Sequence, residues 1–99
     1  MLHIVNKSPQ ERSTLDSCLR VARSGSALLL IEDAVYAATR GNAAAEKVRQ
    51  AAQAVKVYAL APDLEARGMK EAALSEVTLV DYGGFVDLVA GHAVVQSWL

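Results

Sequence analysis

Polar residues follow four of the predicted strands in this sequence, and they are the first candidates for a functional site. The clearest case is the apolar run 27–31, which ends at the adjacent carboxylates Glu32 and Asp33. A short run without polar alternation suits a strand that is buried on both faces of a parallel sheet. In open parallel sheets, binding sites lie beyond the carboxyl ends of the strands. The sequence therefore predicts one small polar site or docking groove, lined by Asn6, Lys7, Glu32, Asp33, Asp63 and Asp81.

The carboxylates of this groove also have a structural interpretation. A carboxylate after a strand often accepts hydrogen bonds from turn amides and holds the loop, which would account for Glu32 and Asp33. Pro62 followed by Asp63 is typical of a helix start, and Asp81 can cap a helix that continues through the apolar residues after it. Both interpretations stand at this point.

Cys18 is the single cysteine of the chain, so an internal disulfide and a metal site of several thiolates are excluded. It falls on an apolar helical stripe with Leu15, Leu19 and Ala22, at spacings i, i+3, i+4 and i+7. That position predicts a buried thiol with a raised pKa. A sulfur carrier needs an exposed thiolate near a helix amino terminus or a basic side chain. We keep Cys18 as a candidate thiol and assign no catalytic residue.

Motifs of several common enzyme classes are missing from the sequence. The segment 6–9 follows the first strand in place of a glycine-rich phosphate loop. His3 and His92 have no cysteine or carboxylate at the spacing of a metal site, and no serine-hydrolase motif is present. We interpret both histidines as structural and predict neither a metal nor a cofactor.

Length and composition indicate one small domain, residues 1–99, with a partner. The hydrophobic fraction of 53% and the mean hydropathy of +0.20 are high for so short a chain, so part of its surface is expected to meet another subunit. The net charge is −1 and the basic residues are scattered, whereas nucleic-acid binding needs clustered Lys and Arg. Neither a secretion signal nor a segment of bilayer length is evident. We therefore predict a cytoplasmic protein without direct nucleic-acid or membrane contact.

Alternating strand and helix patterns predict the fold. Strands are predicted at 2–6, 26–31, 55–60 and 77–80, with a last edge strand at 93–98. Helices are predicted from a capping box at Ser8, Pro9 and Glu11 to a left-handed Gly25, over 43–54 with Asn42 as cap, over 63–67 before Gly68, and after Asp81. The segment 33–38 is predicted as a loop or single turn. This order is typical of one three-layer α/β/α domain with a mostly parallel sheet of about five strands.

Several segments, taken in their order and spacing, resemble the DsrH/TusB family. The resemblance spans nearly the whole chain and includes its length and the tryptophan near its end. It implies the flavodoxin-like fold of the wider superfamily of DsrE, DsrF and DsrH proteins. The segments that carry it are 1–9, 29–38, 57–60, 63–68, 80–82 and 85–88.

The resemblance implies a subunit of a cytoplasmic sulfur relay. In such complexes DsrE/TusD-type and DsrF/TusC-type subunits assemble with this one into a heterohexamer, and a persulfide passes from the DsrE/TusD-type subunit to a DsrC/TusE-type carrier. The sulfur ends in the wobble uridine of certain tRNAs in the TusB branch and belongs to dissimilatory sulfur oxidation in the DsrH branch. The family member that this chain resembles is usually non-catalytic. DsrH-like members nevertheless have a cysteine at the place of Cys18, so the resemblance leaves open a secondary sulfur-binding role.

Two residues depart from the family pattern. Ala34 stands where a glycine is common after the central strand, and a positive φ would be costly for alanine. Gln10 replaces an aromatic residue after Ser8 and Pro9, which removes an apolar anchor at the predicted helix start.

Overall fold

The described residues form a five-stranded sheet in which every neighbouring pair of strands runs parallel. The computed structural model describes residues 1–11 and 13–98. The strands are β1 (Leu2–Val5), β2 (Ala27–Leu30), β3 (Lys56–Leu60), β4 (Thr78–Val80) and β5 (Val95–Trp98), in the spatial order β4-β3-β2-β1-β5. The helices are α1 (Thr14–Val21), α2 (Ala44–Ala51), α3 (Ala61–Ala66) and α4 (Tyr82–Ala90), with 3₁₀ helices at Glu32–Ala38 and Lys70–Ala72. No helix in the described part of the chain has the length and apolar character to cross a membrane.

The central strand β2 is buried on both faces, as its apolar run predicts. Each of its residues is at most 3% exposed. Leu28 and Leu30 belong to a large cluster with residues of α1, α2, α3 and the first 3₁₀ helix. Ala27 and Leu29 belong to a smaller cluster on the opposite face, to which α4 contributes. The predicted three-layer α/β/α fold is confirmed, and its sheet is parallel throughout.

The first helix begins later than the sequence predicts. α1 starts at Thr14, and the chain from Pro9 to Glu11 forms a turn. The Ser8 hydroxyl accepts a hydrogen bond from the Gln10 amide at 3.2 Å, and the Glu11 amide donates to the Ser8 carbonyl at 3.1 Å. The predicted capping box is therefore wrong, because Ser8 closes a local turn instead of capping a helix.

Four other predicted boundaries also differ. Gly25 has a positive φ of +86°, but it lies in a turn, since α1 already ends at Val21. The segment predicted as a loop is the 3₁₀ helix Glu32–Ala38, and four of its residues are buried in the large cluster. α2 ends at Ala51, and α3 begins at Ala61. The burial of the 3₁₀ helix in the core is not visible in its local sequence.

Local capping signals are confirmed at three other places. Asn42 Oδ1 accepts a hydrogen bond from the Ala44 amide at 2.9 Å at the start of α2. Asp81 Oδ1 accepts from the Gly84 amide at 2.8 Å at the start of α4. Gly68 has a φ of +66° after α3. Each signal depends on residues at most three positions apart, so the sequence contains the necessary information.

The predicted edge strand is present as β5, and a side-chain hydrogen bond joins it to β1. Trp98 Nε1 donates to His3 Nδ1 at 3.1 Å. His3 is 3% exposed, and burial, with a smaller effect of the terminal amino group, lowers its pKa. Because a protonated Nδ1 cannot accept a hydrogen bond, the bond from Trp98 requires His3 to be neutral.

We expect the free energy of unfolding to fall as the pH is lowered through about 6.5, where a histidine in the unfolded chain takes up its proton. The folded protein accepts that proton on His3 only at lower pH. Between the two pKa values the unfolded state binds more protons, so acid favours unfolding. Urea unfolding followed by Trp98 fluorescence measures this dependence.

The matched control is His3→Asn, which can accept the indole hydrogen bond but does not titrate. Its free energy of unfolding should change less between about pH 7.5 and pH 5.5 than that of the unmodified protein. Equal pH slopes in the two proteins would contradict this explanation.

Candidate functional site

Asp33, Asp63 and Arg67 form a hydrogen-bonded group, here called the carboxylate cluster, beyond the carboxyl ends of β2 and β3. Arg67 Nε and Nη2 donate to Asp33 Oδ1 at 2.9 and 2.8 Å. Arg67 Nη1 also donates to the Asp63 carbonyl at 3.0 Å. The hydrogen bonds with Asp33 raise the pKa of Arg67. The cluster connects the first 3₁₀ helix to α3 at the edge of the sheet where the sequence predicts a groove.

Glu32 is the residue at which the chain turns away from β2, and its backbone is strained. Its φ is +51°, a conformation that costs a non-glycine residue about 1–2 kcal/mol. The Glu32 amide donates to Asp63 Oδ2 at 2.6 Å, and charge-assisted bonds of this kind are stronger than neutral ones. Asp63 therefore holds the strained turn in place. Ala34, where the family pattern favours glycine, has no positive φ and packs at 1% exposure inside the 3₁₀ helix.

A polar cavity of about 480 Å³ opens beside the carboxylate cluster. The turn 8–11 forms one wall and the segment 39–42 forms another, and Asp33, Tyr36 and Met69 also line the cavity. Asn42 Nδ2 donates to the carbonyls of Tyr36 and Thr39 at 2.9 and 2.6 Å, which fixes the second wall. This volume lies within the range of roughly 300–1,000 Å³ that is typical of ligand pockets. A small molecule or a protruding segment of another protein fits a cavity of this size.

The structure assembles only part of the predicted groove. Asp81 is exposed and its carboxylate caps α4, which bears out the structural interpretation of that residue. Asn6 and Lys7 follow β1, and no hydrogen bond or ion pair joins them to the carboxylate cluster within residues 1–11 and 13–98. Of the predicted groove residues, Asp33 alone lines the polar cavity.

Cys18 is fully buried on the inner side of α1. Burial raises the pKa of its thiol to about 11. A thiol in this environment is protonated at neutral pH, and the thiolate is the form that reacts. In this conformation Cys18 therefore lacks the exposure and the charge that sulfur transfer needs.

Arg67 and Tyr36 are not among the site residues that the sequence predicts. Arg67 follows Asp63 by four positions, and residues at this spacing on a helix lie on the same side. That spacing accounts for the hydrogen bond from Arg67 to the Asp63 carbonyl. It does not predict the ion pair, because the partner in that pair is Asp33, 34 positions away. Tyr36 has no such signal, because its position depends on the 3₁₀ helix.

The carboxylate cluster and the polar cavity are suited to binding a ligand or a partner protein. The carboxylates of the cluster bond Arg67 and a backbone amide, so they hold chain segments in position. Among the described residues, no group of three or more His, Cys, Asp or Glu side chains is placed to hold a metal ion. Among the residues that line the cavity, the Asp33 carboxylate accepts hydrogen bonds and the exposed Arg40 guanidinium donates them.

We expect Asp63→Ala to lower the free energy of unfolding by about 1–3 kcal/mol, because the Glu32 amide loses its acceptor at a strained residue. Asp63→Asn keeps a side-chain oxygen at this position and should lose less. The measurement is equilibrium urea unfolding of both variants.

Asp87→Ala serves as the control, since Asp87 is an exposed residue of α4. It should change stability by no more than about 0.5 kcal/mol. If Asp63→Ala is as stable as this control, Asp63 does not hold the turn.

The chain is similar to known proteins over its full length. A family model described as "DsrH like protein" matches residues 7–95. Protein TusB of Pectobacterium parmentieri is 41% identical over 98 residues, which cover 99% of this chain and 100% of that protein. Protein TusB of Escherichia coli strain K12 is 39% identical over the same length and coverage.

Solved structures share the fold at lower identity. The YchN protein of E. coli superposes with a TM-score of 0.82 at 20% identity, covering 98% of this chain and 97% of its own. A protein of unknown function from Methanobacterium thermoautotrophicum superposes with a TM-score of 0.75 at 19% identity, covering 97% and 95%. These likenesses show the fold, and the full-length sequence matches show the family. The predicted resemblance is confirmed: the chain belongs to the DsrH/TusB family.

Proposed function

We propose that this protein is a non-catalytic subunit of a cytoplasmic sulfur-relay complex. In this proposal it assembles with DsrE/TusD-type and DsrF/TusC-type subunits into a heterohexamer. The complex passes persulfide sulfur to a DsrC/TusE-type carrier for thiolation of the tRNA wobble uridine. The observation that carries the proposal is the full-length similarity to proteins named TusB, at 39–41% identity.

The state of Cys18 supports the non-catalytic part of the proposal. The chain has one cysteine, and that cysteine is buried with a raised pKa. A persulfide carrier needs a thiol that a sulfur donor and an acceptor can both reach. The reactive sulfur of the complex therefore belongs to a different subunit, and this chain contributes surface and shape.

The outer side of α4 supports the assembly part of the proposal. Tyr82, Val86 and Val89 follow one another at i, i+4 and i+7 and are 62%, 63% and 37% exposed. Phe85 and Leu88 lie on the other side of the helix and pack against the sheet. A helix that is apolar on both sides is typical of a buried position. We infer that α4 is covered by a sister subunit in the complex.

The polar cavity is a candidate docking place for the carrier or for a loop of the catalytic subunit. It lies at the carboxyl edge of the sheet, where sites of open parallel sheets lie, and its walls are fixed by the hydrogen bonds of Asn42 and the carboxylate cluster. Asp33 and Tyr36, which line the cavity, supply a hydrogen-bond acceptor and an aromatic ring. These groups suit recognition of a polar chain segment.

A second candidate function is a DsrH-type subunit of dissimilatory sulfur oxidation, with Cys18 as a secondary sulfur-binding thiol. The match to the DsrH family model favours it. Because Cys18 is fully buried, this function requires α1 to move away from the sheet before sulfur reaches the thiol. The relay role without Cys18 needs no such movement.

We expect Val86→Lys to abolish assembly and tRNA thiolation without unfolding the subunit. A lysine at this exposed position would place a charge in the middle of the proposed interface, where an unpaired buried charge is strongly unfavourable. Native mass spectrometry of the co-expressed subunits measures assembly. Quantification of thiolated wobble uridine in a strain that lacks the chromosomal copy measures function.

Gln50→Lys is the matched control, because Gln50 is an exposed residue of α2, in the opposite layer of the domain. It should assemble and restore thiolation like the unmodified protein. A hexamer with normal composition from Val86→Lys would refute the α4 interface. If the unmodified protein assembles normally but a strain that lacks its gene still has normally thiolated tRNA, the tRNA role alone would be refuted.

A further inference from the structure

A second cavity lies on the α1 side of the sheet, around the amino end of β2 and away from the carboxylate cluster. Its volume is about 450 Å³, within the range of roughly 300–1,000 Å³ that is typical of ligand pockets. The residues that give it chemical character are His3, Val21, Arg23, Ser26, Gln96 and Trp98.

The polar groups of this cavity include several hydrogen-bond donors. His3 Nδ1 accepts the Trp98 indole hydrogen bond, so a neutral His3 carries its proton on Nε2. Arg23 supplies a guanidinium, and the described residues give it no ion pair. Ser26 and Gln96 add a hydroxyl and an amide. Because no Asp or Glu of residues 1–11 and 13–98 lines the cavity, its chemistry favours an anion.

The remaining walls are apolar. The Trp98 indole is held in place by its bond to His3, and the two rings are 6.1 Å apart with a 40° tilt. Val21 contributes a half-exposed aliphatic wall from the end of α1. An indole fixed in this way presents a flat surface on which an aromatic ring can pack.

We propose that this cavity binds a small organic anion, a carboxylate attached to an apolar or aromatic body. Arg23 pairs with the carboxylate, the His3 imidazole donates to it, and Trp98 and Val21 contact the apolar part. The site is separate from the carboxylate cluster and does not depend on the sulfur-relay role.

Benzoate is the probe, and its neutral isostere benzamide is the matched comparison. Trp98 is the only tryptophan of the chain, so its indole N–H gives one resolved side-chain signal in a ¹H–¹⁵N correlation spectrum. Titration at a pH above the His3 transition should move this signal saturably with benzoate, and benzamide should bind at least about tenfold more weakly.

Arg23→Gln should weaken benzoate binding by at least about tenfold, since it removes a charge-assisted hydrogen bond. Arg20→Gln is the control, because Arg20 is an exposed residue of α1 beside the groove to α2 and outside this cavity. Both variants are first checked for an unchanged melting temperature. Three results would overturn the proposal: equal binding of benzoate and benzamide, equal effects of the two arginine substitutions, or a linear shift without saturation.

Discussion

Burial of the central strand β2 on both of its faces is the constraint on which the rest of the domain depends. Every residue of the strand is almost inaccessible, so helices must cover both sides and strands must pair with both edges. The chain meets this requirement unequally. α1, α2, α3 and a 3₁₀ helix cover one face, whereas α4 covers the other among the described residues. As a result, the core cluster under α1, α2 and α3 is large and well covered (the closed side), and the cluster under α4 is small (the thin side).

The closed side and the thin side have different consequences for function. On the closed side, Cys18 points into the large cluster, and burial keeps its thiol protonated. On the thin side, α4 lies very close to the sheet: a Cβ on Gly84 would be 2.9 Å from Val80 Cβ. Its outer apolar stripe is left exposed. The same layering therefore accounts for an inaccessible thiol and for a surface that suits a subunit interface.

Most of the fold is predictable from the sequence because its signals are local. The apolar run before Glu32 gives the central strand, and Asn42, Gly68 and Asp81 mark helix boundaries within three residues. The start of α1 is not predictable in this way, since a Ser-Pro turn and a capping box share the same residue types at Ser8. In the structure Ser8 closes a turn that lines the polar cavity, and α1 begins after that turn.

The candidate site is less predictable than the fold. Asp33 and Asp63 are recognisable as carboxylates that follow strands, but their cluster forms through Arg67, which is 34 residues from Asp33. The strained φ of Glu32 has no signal in the sequence, because it is imposed by the Asp63 carboxylate and the adjoining 3₁₀ helix. Side chains that act structurally, such as Asp81, look the same in sequence as those that line a cavity.

In the proposed function, this subunit supports sulfur transfer without carrying sulfur itself. The most direct test is alkylation of Cys18 in the native protein, followed by mass spectrometry, before and after mixing with a persulfidated DsrE/TusD-type partner. We predict that Cys18 remains unmodified and gains no sulfur until the protein is unfolded by denaturant. Rapid alkylation together with the addition of one sulfur atom to Cys18 would contradict the account and place this subunit in the relay itself.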